Sequence, residues 1–369
     1  MSLLLGRHGR MTGMARRPVP PFSDPVIWAA SRNGYDHPFA SALDNTDSIW
    51  NRPIGDTATY VPTGFNYADA WNPNGWTHGM IVQDEEHIGV DPTANAYTLT
   101  VTQPFQAGDG TSVLVPDDIA WNGAWNGCAT FLRSDDHKKI IQGGPLTRTA
   151  PSGAPSWQYT LPPGQVEDHI ETSHGKFGAH GGSRLSAFGG SIRVGELSGT
   201  DPIHHALKMN IYCYKYVSRT TNGYRWPAIS ADAGYNDPAN TPPGGNANYY
   251  NGVVPELRLG ALLALPMAYD TSWITSAKVL KLATALKHYG AYVVDNTSWD
   301  VYAFPMDNRV YISNEWPHDA GVAAQTFHTE LHTLILSLQI IDNNASGQTN
   351  SGGGNPVASS LHAPSVFSY

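Results

Sequence analysis

The chain has 369 residues, with 22 Lys and Arg against 31 Asp and Glu, a formal net charge of −9, and only 14% charged residues. That length can bury a large core, and 41% hydrophobic with 11% aromatic residues excludes a disordered chain. The acidic balance excludes nucleic acid as a partner, because binding a phosphate backbone needs clustered Lys and Arg.

In chain order, residues 1–40 are rich in Arg and Pro, lack periodicity, and read as an extended arm. MSLLL at the start is too short for a signal-peptide core, so an exported chain would have its signal removed or upstream. No apolar run approaches the roughly 20 residues of a spanning helix. From residue 41 to 345 the pattern predicts a single β-rich domain. TATYVP, GMIVQ, AYTLTVTQPF, TSVLVPDDIAW and CATFLRS are strand-like runs separated by Gly, Pro, Asn or Asp. Such spacing suggests a mainly β fold, a β-sandwich or jelly-roll-like arrangement.

The middle of the chain continues the pattern. SIRVGEL (191–197) alternates and predicts a strand. ALKMNIYCYKYV alternates further, with Leu207, Met209, Ile211 and Cys213 on one face and Lys208, Asn210, Tyr212 and Tyr214 on the other. PELRLGALLALP reads as a buried strand between prolines. TSAKVLKLATALKHYG has a helical stripe, a Thr/Ser cap and Gly290 as a stop. AAQTFHTELHTLILSLQII carries Phe327, Leu331, Leu334 and Leu338 at helical spacing, so two or three peripheral helices are expected. Residues 346–369 read as a Gly/Ser/Asn-rich tail. Cys128 and Cys213 are the only cysteines and fit either one disulfide or two buried thiols.

The chemistry-bearing candidates centre on GKFGAHGGSRLSAFGG (175–190), where six glycines surround His180. Glycine permits close backbone approach and positive φ, and histidine serves as acid or base near neutral pH. Carboxylates are scarce. Glu167, Asp168 and Glu171 precede this loop and Glu196 follows it, in a setting where a buried carboxylate needs a partner such as Arg193, Arg258 or His205. Asp295 ends an apolar strand. His180, Glu196, Asp295 and His205 are the catalytic candidates, and paired carboxylates would suit glycoside cleavage. Trp71, Trp76, Trp121 and Trp125 sit among Asn and Gly, where flat rings and amides suit sugar faces. Trp226, Arg193, Arg258, Tyr212 and Tyr214 complete the substrate-binding set, a tyrosine serving as acid if the reaction is elimination. HTELH (328–332) has a metal-like i, i+4 spacing but is not HExxH, and polar helix face is the plainer reading. No metal site and no cofactor is expected; GxSxG, P-loop and strand–helix GxGxxG patterns are absent.

The run GAHGGSRLSAFGGSIRVGEL, with DPIHHALKMNIY, GYRWPAISAD, PELRLGALLALP and LATALKHYGAYVVDNTSWD after it, resembles a group of secreted bacterial β-rich proteins. These are often large and often carry carbohydrate-binding modules. The resemblance spans about residues 45–355 and implies export and a β-rich fold; it transfers no catalytic role. The leading expectation is a secreted, extracellular enzyme that cleaves a polysaccharide by hydrolysis or β-elimination. The alternative is a non-catalytic glycan-binding or surface-assembly protein, self-associating through the N-terminal arm, since an extended segment can add to a sheet edge.

Overall fold

The computed structural model describes residues 48–66, 81–91, 93–103, 106–122, 127–149, 152–160, 167–169, 173–242, 248–318 and 321–357. The strands are β1 (Tyr60–Pro62), β2 (Ile81–Gly89), β3 (Asn95–Thr98), β4 (Thr100–Val101), β5 (Ser112–Val115), β6 (Trp121–Asn122), β7 (Ala129–Arg133) and β8 (Lys139–Arg148). They continue as β9 (Ser156–Thr160), β10 (Glu167–His169), β11 (Leu207–Ile211), β12 (Leu262–Ala264), β13 (Ala291–Asn296), β14 (Tyr302–Asp307) and β15 (Gln339–Ile341). Two helices are long, α2 (Ala277–His288) and α4 (Val322–Leu336), and two are short, α1 (Cys213–Tyr216) and α3 (Asn308–Ile312).

The chain is mainly β. One hydrogen-bonded path joins the strands in the order β1-β15-β12-β13-β11-β14-β2-β7-β8-β9-β4. Strand β2 is the link: it pairs with β14 over its first six residues and with β7 over its last three, both in parallel. Strands β11 and β13 are also parallel. The central sheet is therefore mixed, and it is covered by helices and loops. On one face Leu207, Met209, Ile211, Val293, Phe304 and Met306 pack against Val279, Leu282 and Leu286 of α2 and Phe327, Leu331 and Leu334 of α4. On the other face Leu262, Tyr292, Val294 and Ile341 pack under Trp50, Leu185 and Phe188. The antiparallel portion has its own apolar cluster around Leu99, Val113, Phe131, Ile141 and Trp157.

Both long helices form where the spacing predicts them. The side chain of Ser276 caps α2 by accepting from the Val279 N–H, and Gly290 follows the helix at φ +79°. Ser276→Ala should cost about 1 kcal/mol in urea denaturation; no change would mean the cap is not made in solution.

Three local expectations are corrected. Residues 191–197 are not a strand. Only Ile192 bridges, to Met306; Gly195 turns at φ +92°, and the Glu196 N–H returns to the Arg193 carbonyl at 3.1 Å. Strand β11 ends at Ile211, because the Asn296 side chain accepts the Cys213 N–H at 3.0 Å and the chain then enters α1. Tyr212 and Tyr214 consequently leave the face that Lys208 and Asn210 share. Finally, residues 351–357 are not loose tail: Ser351 bridges Ile54, Pro356 bridges Gly55, and the Val357 N–H donates to Ile54 O at 2.9 Å.

Candidate functional site

Sheet register assembles a buried polar cluster on the loop-covered face. Strand residues two apart share a face, so Asp84 and Glu86 of β2 point the same way, opposite Pro305 and Asp307 of β14. Lys208 and Asn210 of β11 do the same, with Asn210 opposite Ala303. Asp295 joins them through an irregularity in β13. Met209 pairs with Val293 but Asn210 pairs with Asp295, so Val294 is an extra residue. Such a bulge re-aims the side chains beyond it. Without it, alternation would turn Asp295 toward the helices.

The glycine-rich loop closes over these side chains. The His180 and Arg184 segment folds back on itself, with His180 N–H to Leu185 O at 3.0 Å and Arg184 N–H to His180 O at 3.1 Å. The Ser183 N–H reaches Val294 O at 3.3 Å, tying the loop to the bulge. The Trp50 indole N–H donates to Gly175 O at 2.6 Å. Gly181 and Gly182 serve close approach. A Cβ on Gly181 would lie 2.2 Å from Asp295 Oδ2, and one on Gly182 would lie 3.0 Å from Asp232 Oδ1. The glycines thus admit two of the protein's own carboxyls.

Within the cluster, His180 Nε2 lies 2.8 Å from Glu86 Oε1 and Nδ1 lies 3.5 Å from Asp295 Oδ2. Lys208 Nζ donates to Glu86 Oε1 at 2.5 Å and to Ser186 O at 2.9 Å. Ser191 donates to the other Glu86 oxygen. Asn210 Nδ2 donates to Asp84 Oδ2 at 2.8 Å. Asp295 Oδ1 accepts from Gly182 N at 3.2 Å and Asn296 N at 2.8 Å, while Asn210 Oδ1 has no hydrogen-bond partner among the described residues. Asp232 stands beside Gly182, its Oδ2 accepting from the Tyr250 hydroxyl at 2.7 Å.

Burial and charge set the protonation. Burial raises the Glu86 carboxyl, but Lys208 and His180 outweigh it and the net shift is down. Burial and then Lys208 depress His180, yet its interactions with Asp295 and Glu86 leave it raised. For Asp84, burial is the largest effect; His180 opposes it, Glu86 and Asp295 add to it, and the carboxyl is pushed up to about 7. Burial, then the charge on Asp295, also push Asp232 up to about 7. Asp84 and Asp232 are the two residues of the cluster that are not fully buried.

A raised carboxyl stabilises the fold in its protonated form. Its contribution is complete below the unfolded value of about 4 and is lost as pH rises through about 7. Denaturation of wild type and Asp84→Asn from about pH 5 to 8 should therefore show the wild type losing stability relative to the variant as pH rises. A constant difference would show that Asp84 ionises normally.

The other candidates lie elsewhere. Glu196 Oε1 meets His205 Nε2 at 2.9 Å and its Oε2 accepts the Arg193 N–H at 2.7 Å, an ion pair that closes a local turn. Arg193 is 6% exposed and stacks on Phe188 at 4.3 Å. Arg258 reaches the Tyr224 carbonyl at 3.5 Å. Trp226 lies under Arg52 at 5.1 Å and packs on the core. Trp121 packs against His87 and Gly127. Tyr212 and Tyr214 lie 5.8 Å apart, partly exposed, just beyond β11. Trp71, Trp76, Trp125, Glu171 and the arm at 1–40 fall outside the described residues; Glu167 and Asp168 belong to β10. In HTELH, Glu330 accepts from Thr275 and Ser276 ahead of α2, and His328 meets Pro317 O at 2.8 Å. Among the described residues no group of three or more His, Cys, Asp or Glu is arranged to hold a metal. Cys128 and Cys213 are free and buried, and burial pushes both thiols up.

Asp84, Glu86, Lys208, Asn210, Asp232 and Tyr250 are site residues that the sequence reading missed. Only Lys208 and Asn210 carried a signal, as charged and amide groups on an otherwise buried strand. No family model, curated protein or solved structure matches the chain. No helix among the described residues is long and apolar enough to cross a membrane.

Proposed function

We propose that the protein is a secreted enzyme that cleaves a polysaccharide, and that it does so by hydrolysis at the His180 cluster. The observation that carries the reading is the pairing of two kinds of carboxyl at one site. Asp232 is half-buried and held toward neutrality. Asp295 keeps one oxygen on two backbone N–H groups and turns the other toward His180 Nδ1 at 3.5 Å. Glycoside hydrolysis needs one protonated carboxyl to assist departure and one ionised carboxylate for the sugar or the attacking water. Asp232 takes the first role and Asp295 the second. His180, clasped between Glu86 and Asp295, orients Asp295, and Tyr250 orients Asp232.

A glycan substrate is supported by the rim. Strands β11 and β13 run parallel, so Tyr212 and Tyr214 after one and Trp299 after the other follow the same end of the sheet. Trp299 is 45% exposed, and such rings suit the C–H faces of sugars. The antiparallel portion around Phe131 and Trp157 fits a jelly-roll-like module.

The test is incubation with a panel of neutral, acidic and aminated polysaccharides, following reducing ends and the absorbance of unsaturated products. Reducing ends without unsaturation are expected. Unsaturated products would replace hydrolysis by elimination; no product from any glycan would leave the binding or assembly reading in its place.

A further inference from the structure

We infer that Arg184 is a specificity residue of this site, and that the glycan it selects is anionic, bearing a uronate carboxylate or a sulfate ester. The inference rests on the reading of the His180 cluster as a glycan site, and it names the substrate class.

Arg184 is the uncommitted arginine of the structure. Each other arginine among the described residues donates to a carbonyl or a carboxylate, as Arg148 does to Pro116 O at 2.7 Å and Arg309 to Asp307 Oδ1 at 3.0 Å. The Arg184 guanidinium makes no hydrogen bond, ion pair or ring contact, and the residue is half-buried. Its backbone, by contrast, is fixed. The Arg184 N–H donates to His180 O at 3.1 Å, the Arg184 carbonyl accepts from Gly178 at 2.9 Å, and the next residue, Leu185, bridges Phe177. The residue is held at φ +60°, a left-handed conformation that glycine takes freely and a long side chain does not. A segment with six glycines thus carries arginine at a left-handed position of its turn. Strain of this kind persists where the side chain has a use.

The position of Arg184 defines that use. The turn over 180–184 touches both proposed catalytic carboxyls. Gly182 N–H donates to Asp295, a Cβ on Gly182 would meet Asp232, and the Ser183 carbonyl accepts from Ile229, three residues before Asp232. Arg184 leaves this turn without pairing with either carboxyl, so its charge is not spent inside the cluster. On the other arm of the loop, half-buried Lys176 has its ammonium 5.8 Å from the Phe177 ring and no ion pair. A guanidinium offers five donors in a planar fork and no acceptor, and an oxyanion takes two of them side by side. A sugar hydroxyl would leave the charge unanswered. The chain as a whole is acidic, but salt screens distant charge beyond about 8 Å at physiological ionic strength. The local cation therefore governs which sugar docks on the loop.

The experiment is calorimetric titration of the full chain, as wild type, Arg184→Gly and Arg184→Asn, with an oligogalacturonate, a sulfated galactan oligomer and a neutral galactan oligomer. Glycine and asparagine both accept the left-handed backbone, so the melting temperature should not fall in either variant. The wild type should bind at least one anionic oligomer about tenfold or more tighter than the neutral one, the size of one charge-assisted hydrogen bond. The preference should shrink with added salt and vanish in both variants. Tighter binding of the galacturonate identifies the carboxylate as the group selected; tighter binding of the sulfated oligomer identifies the ester. Binding of neither anionic oligomer, equal or tighter binding of the neutral one, or a preference that survives in both variants overturns the inference. A melting temperature that drops sharply in both variants also overturns it, by making Arg184 structural. Anionic binding that depends on Arg184, with no reducing ends released, would uphold the inference and remove the hydrolytic reading. Cleavage of a neutral glycan with no anionic preference would do the reverse.

Discussion

Lys208→Met should destabilise the protein by about 3–5 kcal/mol, because it leaves Glu86 as a buried charge without its main cation. Lys208 and Glu86 are 0% and 1% exposed at their side chains. Neither can turn to water when the other is removed. His180 and Ser191 still reach Glu86, so the cost falls short of stranding the charge entirely. The pH dependence identifies the cause. Without Lys208 the Glu86 carboxyl rises, so acidification should protonate it and narrow the gap between variant and wild type. Urea denaturation at two pH values measures this. A loss under about 1 kcal/mol, or a gap that does not narrow in acid, would mean that the pair is not a buried ion pair in solution.

The largest catalytic effect should come from Asp295. Asp295→Asn keeps an oxygen for Gly182 and Asn296 N–H, so the bulge and the loop above it should survive with the melting temperature little changed. It removes Oδ2, the carboxyl oxygen that faces His180 Nδ1 at 3.5 Å. On any glycan that the wild type hydrolyses, kcat should fall by about 10²–10⁴-fold, the usual range for a positioned base or acid. Asp232→Asn should behave differently. A general acid matters most for a poor leaving group, so this variant should fail on the natural glycan and retain much of its rate on an aryl glycoside with an acidic leaving group. The wild type should also lose activity as pH rises through about 7, where Asp232 gives up its proton, and that limb should vanish in the variant. Full activity in Asp295→Asn would end the hydrolytic reading of this cluster.

What the sequence determined by itself is local. The helix over 277–288 follows from its stripe, its Ser276 cap and Gly290, all within one segment. The inward row Leu207, Met209 and Ile211 follows from alternation. His180 stands out because glycines flank it, and Asp295 because it ends an apolar strand. Glu196 looked equally promising, but its partners His205 and Arg193 lie within nine residues, and a carboxylate that closes its own turn cannot be told from a catalytic one by composition.

Only the tertiary structure decided the site. Asp84 and Glu86 meet Lys208 and His180 because β2 pairs in parallel with β14, which in turn lies beside β11. Parallel pairing joins residues far apart along the chain, and no local period records which strands become neighbours. Asp295 faces His180 because of one extra residue in β13, and a one-residue shift reverses every side chain after it. Asp232 belongs to the site only because Gly182 leaves room beside it and Tyr250 holds it there. The glycines were legible as a place of close approach; the groups they approach are a matter of register and packing, which the fold as a whole determines.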